Sequence, residues 1–174
     1  QERMNARNAP YFDFHIKNDE YLLGREWPYK NVPRRIIAEP KLDESNGKNG
    51  FTIHDYKFFC FDGVPKVMYI SNDRGEDPRT DFFDMEFNHL PIHMKDPNSD
   101  IPPHKPVMFE KMKEMSTVLS KGIPHLRVDF YVIKDEIYVG ELTFFHNSGF
   151  VSVQPDEWDL QMGEWIKLPS PKMV

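Results

Sequence analysis

Asp62-Gly63 stands between two apolar runs, Thr52 to Phe61 and Val64 to Ser71, and restricts the fold more tightly than any other feature of the sequence. A type I′ turn needs positive φ at both of its central positions. Asp and Gly tolerate that, so the flanking runs are expected to fold back on each other as an antiparallel hairpin. A second hairpin is expected from His125 to Ile133 and from Ile137 to Phe145. Between the two, a helix should run from about Val107 to Lys121. Met108, Met112, Met115 and Leu119 recur there at three- and four-residue spacing, and Gly122 with Pro124 ends the run. A methionine stripe of this period suits core packing rather than a ligand groove.

The remaining segments are shorter. Pro10, Gly24 and Pro28 break the polar first 30 residues into a short helix and loops. Arg35 to Glu39 reads as a short buried strand, and Asp43 to Gly50 as a loop. Asp73 to His104 reads as a long, proline- and charge-rich connection, and Trp158 to Lys167 as a last short helix. Fourteen Phe and seven Tyr favour pleated, half-buried surfaces. Strand pairs around helices, without a βαβ rhythm, give an α+β fold: a mainly antiparallel sheet of hairpins packed with helices. Residues 1–30 form a polar lead-in, and residues 31–174 the domain proper.

Charge narrows the function. The net charge is −6 and no Lys/Arg stripe is present, which argues against a nucleic-acid partner. No run approaches the roughly 20 apolar residues of a membrane span, and no signal peptide opens the chain. The single cysteine, Cys60, lies in an apolar strand-like run and is expected to be buried and inert, in keeping with a reducing cytoplasm. The chain begins at Gln1 without an initiator methionine, as expected of a piece of a longer protein.

The second hairpin carries the chemistry. Alternate residues of a strand share a face, so Arg127 and Asp129 point one way, and Glu141 and Thr143 share a face likewise. A three-residue turn, Lys134-Asp135-Glu136, pairs Ile133 with Ile137 and sets Asp129 opposite Glu141 and Arg127 opposite Thr143. A two-residue turn breaks that opposition. Facing carboxylates repel, and a cation between them removes the penalty. Oxygen ligands with phosphates completing the shell suit Mg²⁺, and an adjacent arginine holds an anionic oxygen. The same residues also make an ordinary charge ladder on an exposed sheet, and spacing alone leaves both readings open.

The string from Leu126 to Phe150, LRVDFYVIKDEIYVGELTFFHNSGF, resembles the catalytic hairpin of ATP-grasp enzymes. With GREWPYKN and DYKFFCFDGVPKV, it resembles more specifically the TupA-like ATP-grasp family, over roughly Tyr21 to Leu168. That family is associated with teichuronopeptide and surface-polysaccharide synthesis. The resemblance implies the C-terminal subdomain of an ATP-grasp fold, with ATP and Mg²⁺ as cofactors. Asp129 and Glu141 match the magnesium ligands, and Arg127 matches the arginine that steadies the transferred phosphoryl group. Glu39, Pro40, Lys41 and Leu42 sit at the adenine-binding hinge. Asp55 falls where a carboxylate holds ribose hydroxyls, and Lys57 is placed to reach phosphate as a second catalytic cation. Arg74 and Arg79 are either further phosphate contacts or solvated loop charges. Asp55 and Lys57 also read as a solvent-facing ion pair.

The sequence departs from the family in two respects. Thr143, a poorer magnesium ligand, stands where many ATP-grasp enzymes have a metal-binding asparagine, so a third ligand is expected from Asn147, from water, or not at all. The lysine-bearing subdomain that covers the nucleotide has no counterpart found in this chain, so that half is expected from the full-length gene product or from a second chain. Two functions are compatible with this pattern. One is a carboxylate–amine ligase working through an acyl-phosphate on an acidic sugar or an amino-acid-polymer acceptor. The other is a truncated or degenerate module that binds nucleotide or partner without turnover, or a domain associated with a glycosyltransferase. The scattered histidines lack zinc-ligand spacing, and His146 reads as a hydrogen-bonded loop residue.

Overall fold

Asp62 and Gly63 take φ values of 48° and 81°, and between them the chain reverses from β1 (Asp55–Phe61) into β2 (Val64–Asn72). Glycine is favoured at position 63 on a second ground. A Cβ there would stand 3.3 Å from the Lys121 backbone, because the turn is seated on the end of the next helix. The Asp62 N–H donates to the Ile123 carbonyl at 3.0 Å, and the Gly122 N–H donates to the Asp62 carboxylate at 3.2 Å. The computed structural model describes residues 20–33, 35–38, 54–72 and 78–170. The chain divides into two units, Gln1–Lys41 and Leu42–Val174.

In the first unit, α1 (Glu20–Gly24) leads into a single 3₁₀ turn, Trp27–Tyr29, opened by Pro28. The Lys30 ammonium lies 4.4 Å from the centre of the Trp27 ring. Residues 35–38 do not form the expected buried strand: they are irregular and exposed, Ile37 to 78%. A lone extended segment needs a neighbour to take its backbone N–H and C=O groups, and the described residues of this unit offer no strand to pair with.

The second unit is built on a six-stranded antiparallel sheet in the order β4-β3-β2-β1-β5-β6. Here β3 is Arg79–Phe83, β4 His89–Leu90, β5 Leu126–Ile133 and β6 Glu136–Thr143. Two strands therefore lie inside the stretch expected to be one long connection. β3 escapes a pattern search because Arg79 and Asp81 are poor strand formers; pairing with β2 overrides their propensity. The segment after β4 is tied down by Asn98, whose side-chain amide donates to the Thr80 and Ile92 carbonyls. The Ser99 N–H and His89 Nε2 both meet the buried Asp81 carboxylate.

Each face of the sheet has its own core. On one, α2 (Phe109–Ser120) lays Phe109 and Met112 against Phe58, Met68, Val128 and Phe130. Met108, Met115 and Leu119 pack around this cluster, so the methionine stripe is core. Cys60 is on this face, fully buried, and burial pushes its thiol up to about 11, which leaves it inert. On the other face, α3 (Asp156–Trp165) packs Met162, Trp158 and Trp165 near Phe59, Phe61, Val67, Tyr69 and Phe82. This apolar patch covers one end of the face. The other end is polar.

Candidate functional site

The register of the two hairpins assembles the polar end. The second hairpin turns on two residues rather than three: Lys134 and Asp135 take φ of 50° and 64°, and Ile133 pairs with Glu136. Counted straight from that turn, Asp129 would face Gly140, and Glu141 would face Val128 on the core side. A bulge between Asp129 and Phe130 admits Gly140 as an extra residue and rotates the rest of the strand. Asp129 therefore does oppose Glu141, and Arg127 opposes Thr143. The first hairpin uses the same device. A shift between Phe59 and Cys60 leaves Lys66 unpaired and brings Tyr69 opposite Lys57 and Ser71 opposite Asp55.

Gly140 lies under the Tyr131 ring, and a Cβ there would stand 2.6 Å from it. Gly140→Ala is expected to push that ring aside and to cost about 1–3 kcal/mol through overpacking. Thermal unfolding followed by circular dichroism checks this; an unchanged Tm would mean that the ring swings away freely.

As a result, Phe82, Tyr69, Lys57, Asp129 and Glu141 lie side by side across five strands on one face. The flanking rows are Thr80, Ser71 and Asp55 on one side, and Val67, Phe59, Arg127 and Thr143 on the other. Asp129 is the hub. Arg127 Nε and Nη2 donate to its two oxygens, each at 2.8 Å, in a forked pair. Lys57 Nζ also bonds Asp129 Oδ2 and reaches Asp55 Oδ2 at 2.9 Å. Asp55 and Asp129 are each 1% exposed, so these are buried ion pairs.

Glu141 differs in exposure and freedom. Its side chain is 56% exposed, and its Oε2 touches Arg127 Nη2 only at 3.5 Å. The Thr143 hydroxyl donates to Oε1 at 2.8 Å and steadies the carboxylate.

His146 caps the free edge of the guanidinium. Arg127 Nη1 donates to its Nδ1 at 2.5 Å, while Phe59 meets the ring edge-on at 5.2 Å between centres. Burial, reinforced by the charge of Arg127, lowers the imidazole to about 3, so it is neutral and accepts this bond. The Asn147 amide nitrogen lies 3.0 Å from the other ring nitrogen, Nε2. Burial also raises the Tyr69 phenol well above its usual range, so its proton stays in place.

A cavity of about 180 Å³ opens over the two cations, lined by Lys57, Tyr69, Ser71, Thr80, Arg127, His146 and Asn147, with Met94, Lys95 and Asp96 at its side. It suits a phosphate- or carboxylate-sized anion rather than a whole nucleotide.

The expected site residues are thus partly gathered. Asp55, Lys57, Arg127, Asp129, Glu141 and Thr143 form one network. Asn147 lines the same cavity but bonds His146 rather than either carboxylate of the Asp129–Glu141 pair. Arg79 is at the start of β3, donating to the Asn98 carbonyl at 3.1 Å. Glu39, Pro40, Lys41, Leu42 and Arg74 lie outside the described residues. Tyr69, Ser71, Thr80 and Lys95 were not expected at the site. Tyr69 and Ser71 become visible only once the bulge at Phe59 is counted.

For a divalent ion, the donor chemistry fits in part. Among the described residues no three His, Cys, Asp or Glu side chains converge as a ready-made cage. Of the opposed Asp129–Glu141 pair, both Asp129 oxygens already accept from Arg127 and Lys57, so Glu141 is the exposed and lightly engaged oxygen donor and Asp129 would have to share its oxygens with the ion. Such a set suits Mg²⁺, which keeps waters and binds through one or two carboxylates plus phosphate.

Among the described residues, no helix is long and apolar enough to cross a membrane. Comparison with curated proteins and with solved structures gave no significant match. The family model described as TupA-like ATPgrasp matches residues 4–167, nearly the whole chain. An α+β architecture with a six-stranded antiparallel sheet, carrying an Arg-x-Asp strand opposite a Glu-x-Thr strand, agrees with that match. The chain belongs to the TupA-like ATP-grasp family.

Proposed function

We propose that the chain is the nucleotide-holding part of a carboxylate–amine ligase that uses ATP and Mg²⁺, and that the cavity over Lys57 and Arg127 receives the transferred phosphoryl group. The observation that carries this reading is the preformed cation pair. Asp129 fixes the guanidinium fork and the ammonium in place, so neither group reorganises when an anion arrives. Asp129 and Glu141 would hold the magnesium ion, which shields the phosphate charge when bound. Thr143 orients Glu141, and His146 holds the outer edge of Arg127.

The chemistry needs no nucleophilic side chain. A carboxylate oxygen of the acceptor attacks the γ-phosphorus, the bond to the ADP oxygen breaks, and an acyl-phosphate forms. An amine then attacks the acyl carbon, phosphate leaves, and the amine gives up a proton. Lys57 and Arg127 compensate the charge that spreads over the phosphoryl oxygens in the first step. The acceptor would be an acidic sugar or an amino-acid polymer used in surface-polysaccharide synthesis.

Thr143 favours a second reading. Its hydroxyl is spent on Glu141, which leaves two carboxylates for the ion and is compatible with a module that binds nucleotide without turnover. Calorimetric titration of the chain with ATP, with and without Mg²⁺, tests the first reading. Binding that tightens with Mg²⁺ is expected. No binding at millimolar ATP would remove the nucleotide site from this chain taken alone.

A further inference from the structure

A second space opens on the site face, a groove of about 670 Å³, within the range of small-molecule sites. Its walls are Phe59 and Phe61 of β1, Phe144 and Phe145 after β6, and Ile166 and Leu168 beyond α3. Met94 and His146 line both this groove and the small polar cavity, so the two spaces share a wall. Phe144 and Phe145 are left 37% and 42% exposed. Together they put exposed aromatic surface on the wall of the groove.

A glycine points the same way. Gly163 lies inside α3, where glycine weakens a helix relative to alanine. A Cβ built there meets nothing within 4 Å, and its φ is not positive. Neither crowding nor backbone conformation requires glycine at this position. What glycine does there is leave the groove wall bare.

The groove offers few polar partners. His125 Nδ1 faces the Phe144 carbonyl at 3.2 Å, and the exposed Asp159 carboxylate is a negative group on the wall. A sugar or a nucleobase in this space would leave hydroxyls or ring nitrogens without partners. A hydrocarbon loses nothing by leaving water, and an anionic end is turned from Asp159 towards Lys57 and Arg127.

We propose that the groove binds the hydrocarbon part of an amphiphilic anion whose charged end lies in the cavity over Lys57 and Arg127, so that the acceptor of the ligase carries an apolar chain beside its carboxylate. The acceptor role rests on the ligase reading above; the groove's ligand class does not. The test is calorimetric titration of the chain with hexanoate, heptanoate and octanoate below their micellar concentrations. Octan-1-ol, glucuronate and glutamate serve as controls. Affinity is expected to rise about fourfold per added methylene, the factor for burying one CH₂. Octanoate should bind at least tenfold tighter than octan-1-ol or glucuronate. Gly163→Leu, which adds a good helix former and fills the wall, should flatten the chain-length dependence.

Three results would overturn the assignment: affinity independent of chain length, a dependence that persists in Gly163→Leu, or glucuronate matching octanoate. Adenosine displacing octanoate, together with loss of ATP binding in Gly163→Leu, would make the groove a base site. A dimer abolished by Gly163→Leu, without alkanoate binding, would assign the groove to a second copy of the chain; both results refute the proposal. The parallel ATP titration separates the two readings. Alkanoate binding without ATP binding keeps the groove and removes the nucleotide site from this chain taken alone, and the converse removes the groove alone.

Discussion

Asp129→Asn is expected to destabilise the fold by about 3–5 kcal/mol, the cost of removing one partner from a buried ion pair. Asp129 is 1% exposed and receives three charge-assisted bonds, two from Arg127 and one from Lys57. The change leaves a buried guanidinium facing an amide, whose NH₂ group takes the place of an acceptor oxygen and repels the donor it faces. Lys57 keeps Asp55, so the larger loss falls on Arg127. Stabilities of natural domains are about 5–15 kcal/mol, so this one substitution removes a large fraction of the margin. For a domain of this size the expected fall in Tm is roughly 10–15 °C. Thermal and urea unfolding check it. A fall of only a degree or two would show that water reaches the pair and screens it, and that Asp129 is not the organising charge of the site.

The same residue shows where the sequence can be read and where it cannot. Asp129 facing Glu141 is expected from a three-residue turn, and the two do face each other, but the turn has two residues and a bulge supplies the missing step. A turn count and a bulge are interchangeable in their effect on register, and periodicity reports only the total. Gly140 is the local sign of the bulge: a glycine inside a strand pattern, under the ring of Tyr131.

Other elements divide along the same line. The Asp62-Gly63 hairpin and the methionine face of α2 are local features and can be recognised from a few consecutive residues. β3 depends on pairing with a strand already in place, and its Arg79-Thr80-Asp81 start gives no propensity signal. Lys95 and Asp96 reach the cavity on a loop that Asn98 helps tie to Thr80 and Ile92, a contact no spacing announces. His146 was legible as a bonded loop residue, whereas its service to Arg127 was not.

Glu141→Gln separates binding from scaffold, because Glu141 is the exposed member of the pair. Its contact with Arg127 is long, at 3.5 Å, and a glutamine oxygen still accepts the Thr143 hydroxyl. Surface substitutions of this kind change stability by about 0.5 kcal/mol or less, so Tm should move by no more than about 2 °C. Nucleotide binding should respond quite differently. Even partners one shell removed from a metal cost about 10–100-fold in affinity when lost, so a direct carboxylate ligand should cost at least that. ATP affinity measured without Mg²⁺ should be unchanged or slightly higher, since one negative charge near the phosphates is gone. The tightening on adding Mg²⁺ should disappear. The contrast with Asp129→Asn is the informative part: one variant is expected to lose the fold and the other only the ion. If Glu141→Gln instead lowers Tm by many degrees while Mg²⁺-dependent binding survives, then Glu141 belongs to the scaffold, and the ion must be held elsewhere in the chain.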